Sequence, residues 1–133
     1  MNKILIVDDN LNSGRLAQYI VNLFKMESEM VSDGEEALYY LINESPETLI
    51  LDLSMPKLGG LDTMLLADQI LNQIHNSSHG HKMRVIFYTS TPYENLVFPK
   101  SKHFKVIGYV SKDWTVDFQK RRFRQLLATK GAA

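Results

Sequence analysis

Short apolar runs alternate along the chain with segments in which apolar residues recur at intervals of three and four. The runs are residues 4–7, 48–51, 85–88 and 106–110, with a weaker one at 29–32. Continuous apolar runs of this length are typical of strands that are buried on both faces of a parallel sheet. The pattern therefore predicts five parallel strands.

The intervening segments have the spacing of amphipathic helices. Their predicted inward-facing residues are Leu16, Ile20, Leu23 and Phe24 in 13–26, Leu38, Leu41 and Ile42 in a helix that begins at Glu35, Met64, Ala67, Leu71 and Ile74 in 61–74, and Phe123, Leu126 and Leu127 in 114–127. Pro92 and Pro99 bracket residues 93–103, where we expect only one or two mobile helical turns. Strands that alternate with helices predict a doubly wound α/β fold, with helices on both faces of the sheet.

Composition narrows the classes of protein to consider. The 133 residues suit a single domain, with its core at about 2–128 and no output domain. The absence of cysteine excludes disulfides and thiolate metal sites. Because 15 basic and 15 acidic residues balance, no global charge draws the chain to nucleic acid or to a membrane. The first apolar run is too short for a signal peptide or a membrane span, so we expect a cytoplasmic protein.

Two further polar clusters have simple structural explanations. His75, His79 and His81 have a spacing that suits a transition metal, but a solvated loop explains them better. The last helix carries four basic residues, Lys120, Arg121, Arg122 and Arg124. No DNA-recognition motif accompanies them. We therefore expect neither a histidine metal site nor direct binding to nucleic acid.

The ends of the predicted strands carry the candidate chemistry. They are Asp8 and Asp9 after the first strand, Asp52 after the third, Thr89 after the fourth and Lys112 after the fifth. Asp8 and Asp9 alone could simply cap a helix. The carboxyl ends of parallel strands meet at one edge of a sheet, however, and ligands bind there. Three neighbouring carboxylates repel one another, and a hard divalent ion such as Mg²⁺ relieves that repulsion.

An acid, a metal, an ammonium and a hydroxyl suit the transfer of a phosphoryl group to a carboxylate. Asp52 would attack as the nucleophile, while the metal and Lys112 neutralise charge on the phosphoryl oxygens. The chain has neither a G-x-x-x-x-G-K-[ST] loop nor a G-x-G-x-x-G turn. We therefore expect the donor to be a phosphorylated partner or a small acyl phosphate.

In their order along the chain, these residues resemble the response regulator receiver domains of bacterial two-component signalling. The matching residues are Asp8-Asp9, Asp33-Gly34-Glu35-Glu36-Ala37-Leu38, Asp52 with Met55-Pro56 and Gly60, Thr89-Ser90, and Tyr109 three residues before Lys112. The resemblance covers almost the whole chain and implies a flavodoxin-like sheet with strand order 2-1-3-4-5. It also implies a phosphorelay switch that at most promotes its own phosphorylation and dephosphorylation.

The resemblance assigns the acceptor and the metal ligands. Asp52 would receive the phosphoryl group from the phosphohistidine of a sensor histidine kinase or of a phosphotransfer protein. Asp8, Asp9 and Asp52 would bind Mg²⁺, or alternatively Mn²⁺, together with the backbone carbonyl of Ser54.

The resemblance also implies a switch. Lys112 would pair with the phosphoryl group, Thr89 would move to hydrogen-bond it, and Tyr109 would turn inward behind Thr89. Ser54 and Thr91 match positions that influence the lifetime of the acyl phosphate. The surface around the fourth helix, fifth strand and fifth helix would then bind a downstream protein or a second copy of the chain.

The chain departs from the family pattern in three places. Asp113 follows Lys112, where the family commonly has a proline, often after a cis peptide bond. A cis bond before another residue costs about 2.5–4 kcal/mol, so the sequence leaves the geometry of this loop open. The loop at 75–82 is longer than usual, and the poorly helical segment before Tyr109 suggests an atypical output surface.

Two other functions stay open at this point. One is a magnesium-dependent phosphatase that acts through an aspartyl intermediate, although no second acid or lid is evident. The other is a docking module that is not phosphorylated, which intact Asp52 and Lys112 argue against.

Overall fold

The chain forms a five-stranded parallel sheet in a computed structural model that describes residues 3–74 and 82–128. The strands are β1 Lys3–Val7, β2 Glu27–Val31, β3 Thr48–Leu51, β4 Met83–Thr89 and β5 Phe104–Ser111, and the helices are α1 Leu11–Leu23, α2 Gly34–Asn43, α3 Gly60–Ile74 and α4 Val116–Ala128. The histidines considered as metal ligands, His75, His79 and His81, lie outside the described residues. Within the described ranges, no helix has both the length and the hydropathy to cross a bilayer.

The strand order is β2-β1-β3-β4-β5, which confirms the expected topology. The last residues of β1 and β3, Val7 and Leu51, are register partners. Leu51 is in turn the partner of Phe87 in β4, which continues for two further residues. Because β1 and β3 end side by side, the acids that follow them emerge at the same edge of the sheet.

Apolar side chains cover both faces of the sheet. On one face, Leu5 and Val7 of β1 belong to a buried cluster with residues of α2 and α3. On the other face, Ile4 and Ile6 belong to a cluster with residues of α1 and α4. Alternate residues of one strand therefore enter two different cores, which explains why β1 is apolar from Ile4 to Val7.

The apolar stripes of α1 and α3 extend beyond the packed part of each helix. Helix α1 stops at Leu23, and Lys25 has a left-handed backbone with φ of 60°, which terminates the helix in place of a glycine. Leu23 and Ile74 are exposed, so the prediction that they face the core is wrong. Burial ends at Val21 in α1 and at Leu71 in α3, because the last turn of each helix extends beyond the packed part.

The connection between β4 and β5 contains a single 3₁₀ turn, Tyr93–Asn95, in agreement with the expectation of one or two turns. The resemblance implies a helix between β4 and β5 as part of the output surface, and this prediction is therefore wrong. The two prolines explain this, because they break the helical hydrogen-bond pattern. The helix after β5 is accordingly α4.

Candidate functional site

Three carboxylates meet at the carboxyl edge of the sheet. Asp8 follows β1 and Asp52 follows β3, and both are buried, with 2% and 4% of their surface exposed. Asp9 is exposed beside them. One oxygen from each of the three acids lies within 4.8 Å of the other two, a spacing that could hold a metal ion. The prediction that Asp8, Asp9 and Asp52 converge is confirmed.

Lys112 joins the two buried acids. Its Nζ lies 2.9 Å from Asp8 Oδ2 and 3.1 Å from Asp52 Oδ2. The backbone N–H of Lys112 donates to the carbonyl of Thr89 at 3.0 Å, so hydrogen bonding between the ends of β4 and β5 continues to the backbone of Lys112. A positive charge is thus held between two carboxylates that would otherwise repel each other.

Asp8 is fixed by the first turn of α1. Its Oδ1 accepts from the backbone N–H of Asn10 at 2.9 Å, and its Oδ2 accepts from Ser13 Oγ at 2.6 Å. Asn10 is the N-cap of α1 and accepts from the N–H of Ser13. The sequence analysis missed Ser13. The capping pattern of Asn10 and Ser13 could have indicated it, because a side chain at the third helical position points back toward the N-terminus of the helix, where Asp8 lies.

The surroundings of Asp52 shift its ionisation. Burial raises the pKa of Asp52 to about 6, while the Lys112 ammonium lowers it and the Asp8 carboxylate adds to the rise. The backbone N–H of Ser54 donates to Asp52 Oδ1 at 3.1 Å. Gly60 allows α3 to begin against this strand end, because a Cβ at that position would collide with the carbonyl oxygen of Asp52. Asp52 remains mainly ionised at neutral pH and can act as a nucleophile.

Thr89 is fully buried at the end of β4, and its hydroxyl is engaged locally. Its Oγ1 donates to Thr91 Oγ1 at 3.0 Å and accepts from the backbone N–H of Thr91 at 3.1 Å. The structure therefore places Thr89 and Thr91 together. It also places the exposed Ser54 beside Asp52, as the sequence suggests.

Tyr109 lies in a continuous series of aromatic rings, which we call the aromatic row: Phe87, Phe98, Tyr93, Tyr109, Trp114 and Phe118. Successive ring centroids are 5.6, 6.2, 5.1, 5.4 and 4.7 Å apart. The half-buried Tyr109 is in the middle, between the 3₁₀ turn and the loop before α4. No pattern in the sequence pointed to this row, because its members come from four separate segments.

Hydrogen bonds to Ser111 hold the loop after Lys112 in the absence of the proline. No peptide bond in the described residues is cis, so the Lys112–Asp113 bond is trans. The N–H of Asp113 donates to Ser111 Oγ at 3.1 Å, and the N–H of Trp114 donates to the Ser111 carbonyl at 3.3 Å. The question that the sequence left open is settled in favour of a trans turn, in which Lys112 still reaches the acids.

The family model described as "Response regulator receiver domain" matches residues 4–122. A curated relative, the transcriptional regulatory protein CpxR of Escherichia coli (strain K12), is 36% identical over 77 residues, which are 58% of this chain and 31% of CpxR. The chain thus spans about three tenths of the length of the curated relatives that it matches.

Solved structures agree with this match. The response regulator TrrA of Thermotoga maritima, in complex with Mg²⁺ and BeF, is 23% identical to this chain and has a TM-score of 0.66. The alignment covers 95% of this chain and 99% of TrrA. TrrA in complex with the histidine kinase ThkA is 25% identical, with a TM-score of 0.64 and coverage of 96% and 100%. The chain belongs to the response regulator receiver domain family, which consists of signalling domains of two-component systems rather than classical enzymes.

Proposed function

We propose that this receiver domain accepts a phosphoryl group on Asp52 from a histidine kinase and so acts as the switch of a two-component phosphorelay. The observation that carries the proposal is the buried pair of acids, Asp8 and Asp52, joined by the Lys112 ammonium at 2.9 and 3.1 Å. Such a site offers a nucleophilic oxygen next to a fixed positive charge. The histidine kinase bound to the similar protein TrrA supports the choice of donor.

The acids fit a hard divalent ion. Asp8, Asp9 and Asp52 present only oxygen ligands, and one or two carboxylates are the usual protein contribution to a Mg²⁺ site. The backbone carbonyl of Ser54 is the proposed fourth protein ligand, and Mn²⁺ is the alternative ion. Bound there, the ion would neutralise charge on the phosphoryl oxygens during transfer.

The residues of the chain have distinct proposed roles in the transfer. An oxygen of Asp52 attacks the phosphorus, the bond to the donor imidazole breaks, and the imidazole keeps the electron pair. Lys112 turns from the acids toward the phosphoryl oxygens and binds them as a point charge. The Thr89 hydroxyl gives up its bond to Thr91 and donates to the phosphoryl group. Ser54 and Thr91 flank the acyl phosphate and influence how water reaches it, and in this way the domain promotes its own dephosphorylation.

The proposed output surface consists of the 3₁₀ turn, β5 and α4. Phosphorylation adds about −1.5 to −2 charges, which suffices to shift a loop between two arrangements. Tyr109 would then turn inward behind Thr89 and change the exposed part of the aromatic row. A downstream protein or a second copy of the chain would bind this surface in the cytoplasm, without direct contact to nucleic acid.

Intact-mass measurement after incubation with acetyl phosphate and Mg²⁺ tests the proposal. Wild type should gain one phosphoryl mass, and Asp52→Asn should gain none. Asp62→Asn, which removes an exposed acid in the first turn of α3, is the matched control and should label like wild type. Equal labelling of wild type and Asp52→Asn contradicts the proposal, and steady turnover of a generic phosphate ester favours the phosphatase instead.

A further inference from the structure

Gln119 is a buried polar residue on α4, with 2% of its surface exposed. Its side-chain amide is hydrogen-bonded at both ends, to Lys112, to Trp114 two residues further on, and to Tyr88, whose ring centroid lies 5.4 Å from the Lys112 ammonium. Two of its three bonds go to the loop that carries Lys112, and the third goes to the tyrosine whose ring faces the Lys112 ammonium, so this buried amide calls for an explanation beyond the filling of a core position.

The amide nitrogen braces the loop that carries Lys112. Gln119 Nε2 donates to the carbonyl of Trp114 at 3.0 Å and to the carbonyl of Lys112 itself at 3.3 Å. Carbonyl oxygens only accept, so this end of the side chain must be the NH₂ group. Asp113 lies between the two bonded carbonyls, where the family commonly has a proline. The two bonds therefore restrain a loop that lacks the rigidity of a proline ring.

The amide oxygen of Gln119 positions the Tyr88 ring, which lies against the Lys112 ammonium. Gln119 Oε1 accepts from the Tyr88 hydroxyl at 2.8 Å, and the Tyr88 ring lies 5.4 Å from Lys112 Nζ. Burial and the charges of Asp8 and Asp52 raise the pKa of Tyr88, so its hydroxyl stays protonated and donates. One amide thus holds both the backbone of Lys112 and the aromatic surface against which its ammonium rests.

We propose that Gln119 is a positioning residue for phosphoryl transfer, which keeps the Lys112 ammonium directed at Asp8 and Asp52 through the Lys112 carbonyl and the Tyr88 ring. This inference rests on the proposed function and adds a residue to it. The three side-chain hydrogen bonds of Gln119 go to Tyr88, Lys112 and Trp114 and not to the acids. Its effect on the reaction passes entirely through Lys112.

Gln119→Met removes all three hydrogen bonds with little change in volume. We expect labelling by acetyl phosphate to slow about tenfold, because a small misplacement of a catalytic group is costly. Mg²⁺ affinity should stay equal or rise, since a loosened ammonium competes less for the oxygens of Asp8 and Asp52. Gln125→Met, the same change at an exposed position of α4, is the matched control and should leave both quantities unchanged.

The decisive measurement combines Gln119→Met with Lys112→Met. If Gln119 acts through Lys112, the double variant labels as slowly as Lys112→Met alone. If Gln119 only stabilises the fold, its tenfold effect persists in the Lys112→Met background and Mg²⁺ binding weakens with it; either result overturns the inference. Failure of wild type itself to label would instead refute the proposed function.

Tyr88→Phe covers the case in which Gln119→Met does not fold. This change removes one hydroxyl, keeps the ring beneath Lys112, and leaves the nitrogen end of Gln119 bonded. We expect labelling to slow about threefold with Mg²⁺ affinity unchanged, and no further slowing in Lys112→Met. Labelling of Tyr88→Phe at the wild-type rate overturns the inference.

Discussion

The carboxyl edge and the aromatic row lie close to each other but are built in opposite ways. At the edge, Asp8, Asp52 and Thr89 are buried and hydrogen-bonded. Asp8 and Asp52 directly follow β1 and β3, Thr89 is the last residue of β4, and the strand register fixes the positions of all three. In the aromatic row, Tyr93 is 59% exposed and Phe118 is 50% exposed, and the segment before β5 contains only a 3₁₀ turn. The proposed chemistry thus rests on the buried and hydrogen-bonded part of the domain, and the proposed recognition surface rests on the part with less internal packing.

This difference has a physical reason. Phosphoryl transfer requires charges held within a few tenths of an ångström, which register and burial provide. A switching surface requires two arrangements of similar free energy. An aromatic pair contributes only about 0.5–1.5 kcal/mol, so one set of ring contacts can be replaced by another with a small change in free energy. The comparison predicts that changes at the edge affect the chemistry strongly, whereas changes in the row leave it intact.

The largest effect is expected for Lys112→Met. It keeps the stem of the side chain but removes the charge, so labelling by acetyl phosphate should slow about a hundredfold, as for the loss of one preorganised charge-stabilising group. Mg²⁺ should bind more tightly, because no ammonium competes for Asp8 and Asp52. Lys105→Met, at an exposed position of β5, serves as the control. Labelling of Lys112→Met at the wild-type rate would remove Lys112 from the mechanism.

The second prediction concerns the pH dependence of stability. Folding raises the pKa of Asp52 from 3.8 to about 6, so the folded state favours the protonated carboxyl. Its stabilising contribution is present below pH 3.8 and is lost as the pH rises through 6. Asp52→Asn should therefore be more stable than wild type at pH 8, by about 1–3 kcal/mol, and should lose this advantage at low pH. Urea unfolding without divalent ions measures the difference, and a wild type that is as stable as Asp52→Asn at pH 8 would contradict it.

A smaller effect is expected for Ser13→Ala. The change removes the 2.6 Å bond to Asp8 Oδ2 but leaves the bonds from Asn10 and Lys112. The free energy of unfolding should fall by about 1–2 kcal/mol, and Mg²⁺ affinity should change severalfold at most. Ser45→Ala, at an exposed position, is the control and should match wild type in urea unfolding. An unchanged unfolding midpoint in Ser13→Ala would show that this hydrogen bond does not hold Asp8.

The smallest effect on the chemistry is expected for Tyr109→Leu. The change interrupts the aromatic row but touches none of the acids, so the labelling rate should stay within about twofold of wild type. We expect phosphorylation of wild type to change the fluorescence of Trp114, and we expect Tyr109→Leu to abolish this change, because the Tyr109 and Trp114 ring centroids lie 5.4 Å apart. A hundredfold fall in the labelling rate would show that the two regions are not separable.

The sequence predicted the parts of this molecule that depend on local pattern. Apolar runs located the strands, and the polar residues after them identified Asp8, Asp9, Asp52 and Lys112 as neighbours, because strand ends in a parallel sheet share an edge. Gln119 could not be found in this way. Its role depends on three partners that come together only in the fold, and a glutamine in an amphipathic helix usually lies in solvent.

The predictions that failed or were missed likewise concern features that do not depend on local sequence pattern. Leu23 continues the apolar stripe of α1, but it lies in the exposed last turn, just before the left-handed Lys25 ends the helix, and no periodicity reveals a backbone of positive φ. The two prolines before β5 predicted a short helical turn correctly. They gave no indication that Tyr93 and Phe98 would pack with Tyr109, since ring contacts across segments leave no spacing in the sequence.

Localising the acyl phosphate tests the central claim most directly. After labelling with acetyl phosphate and Mg²⁺, borohydride reduction converts an aspartyl phosphate to homoserine, and peptide mass spectrometry identifies its position. We expect homoserine at position 52 alone, in wild type and in Asp62→Asn. Homoserine at position 8 or 9 with Asp52 unmodified, or a phosphoryl group retained on a histidine, would contradict it.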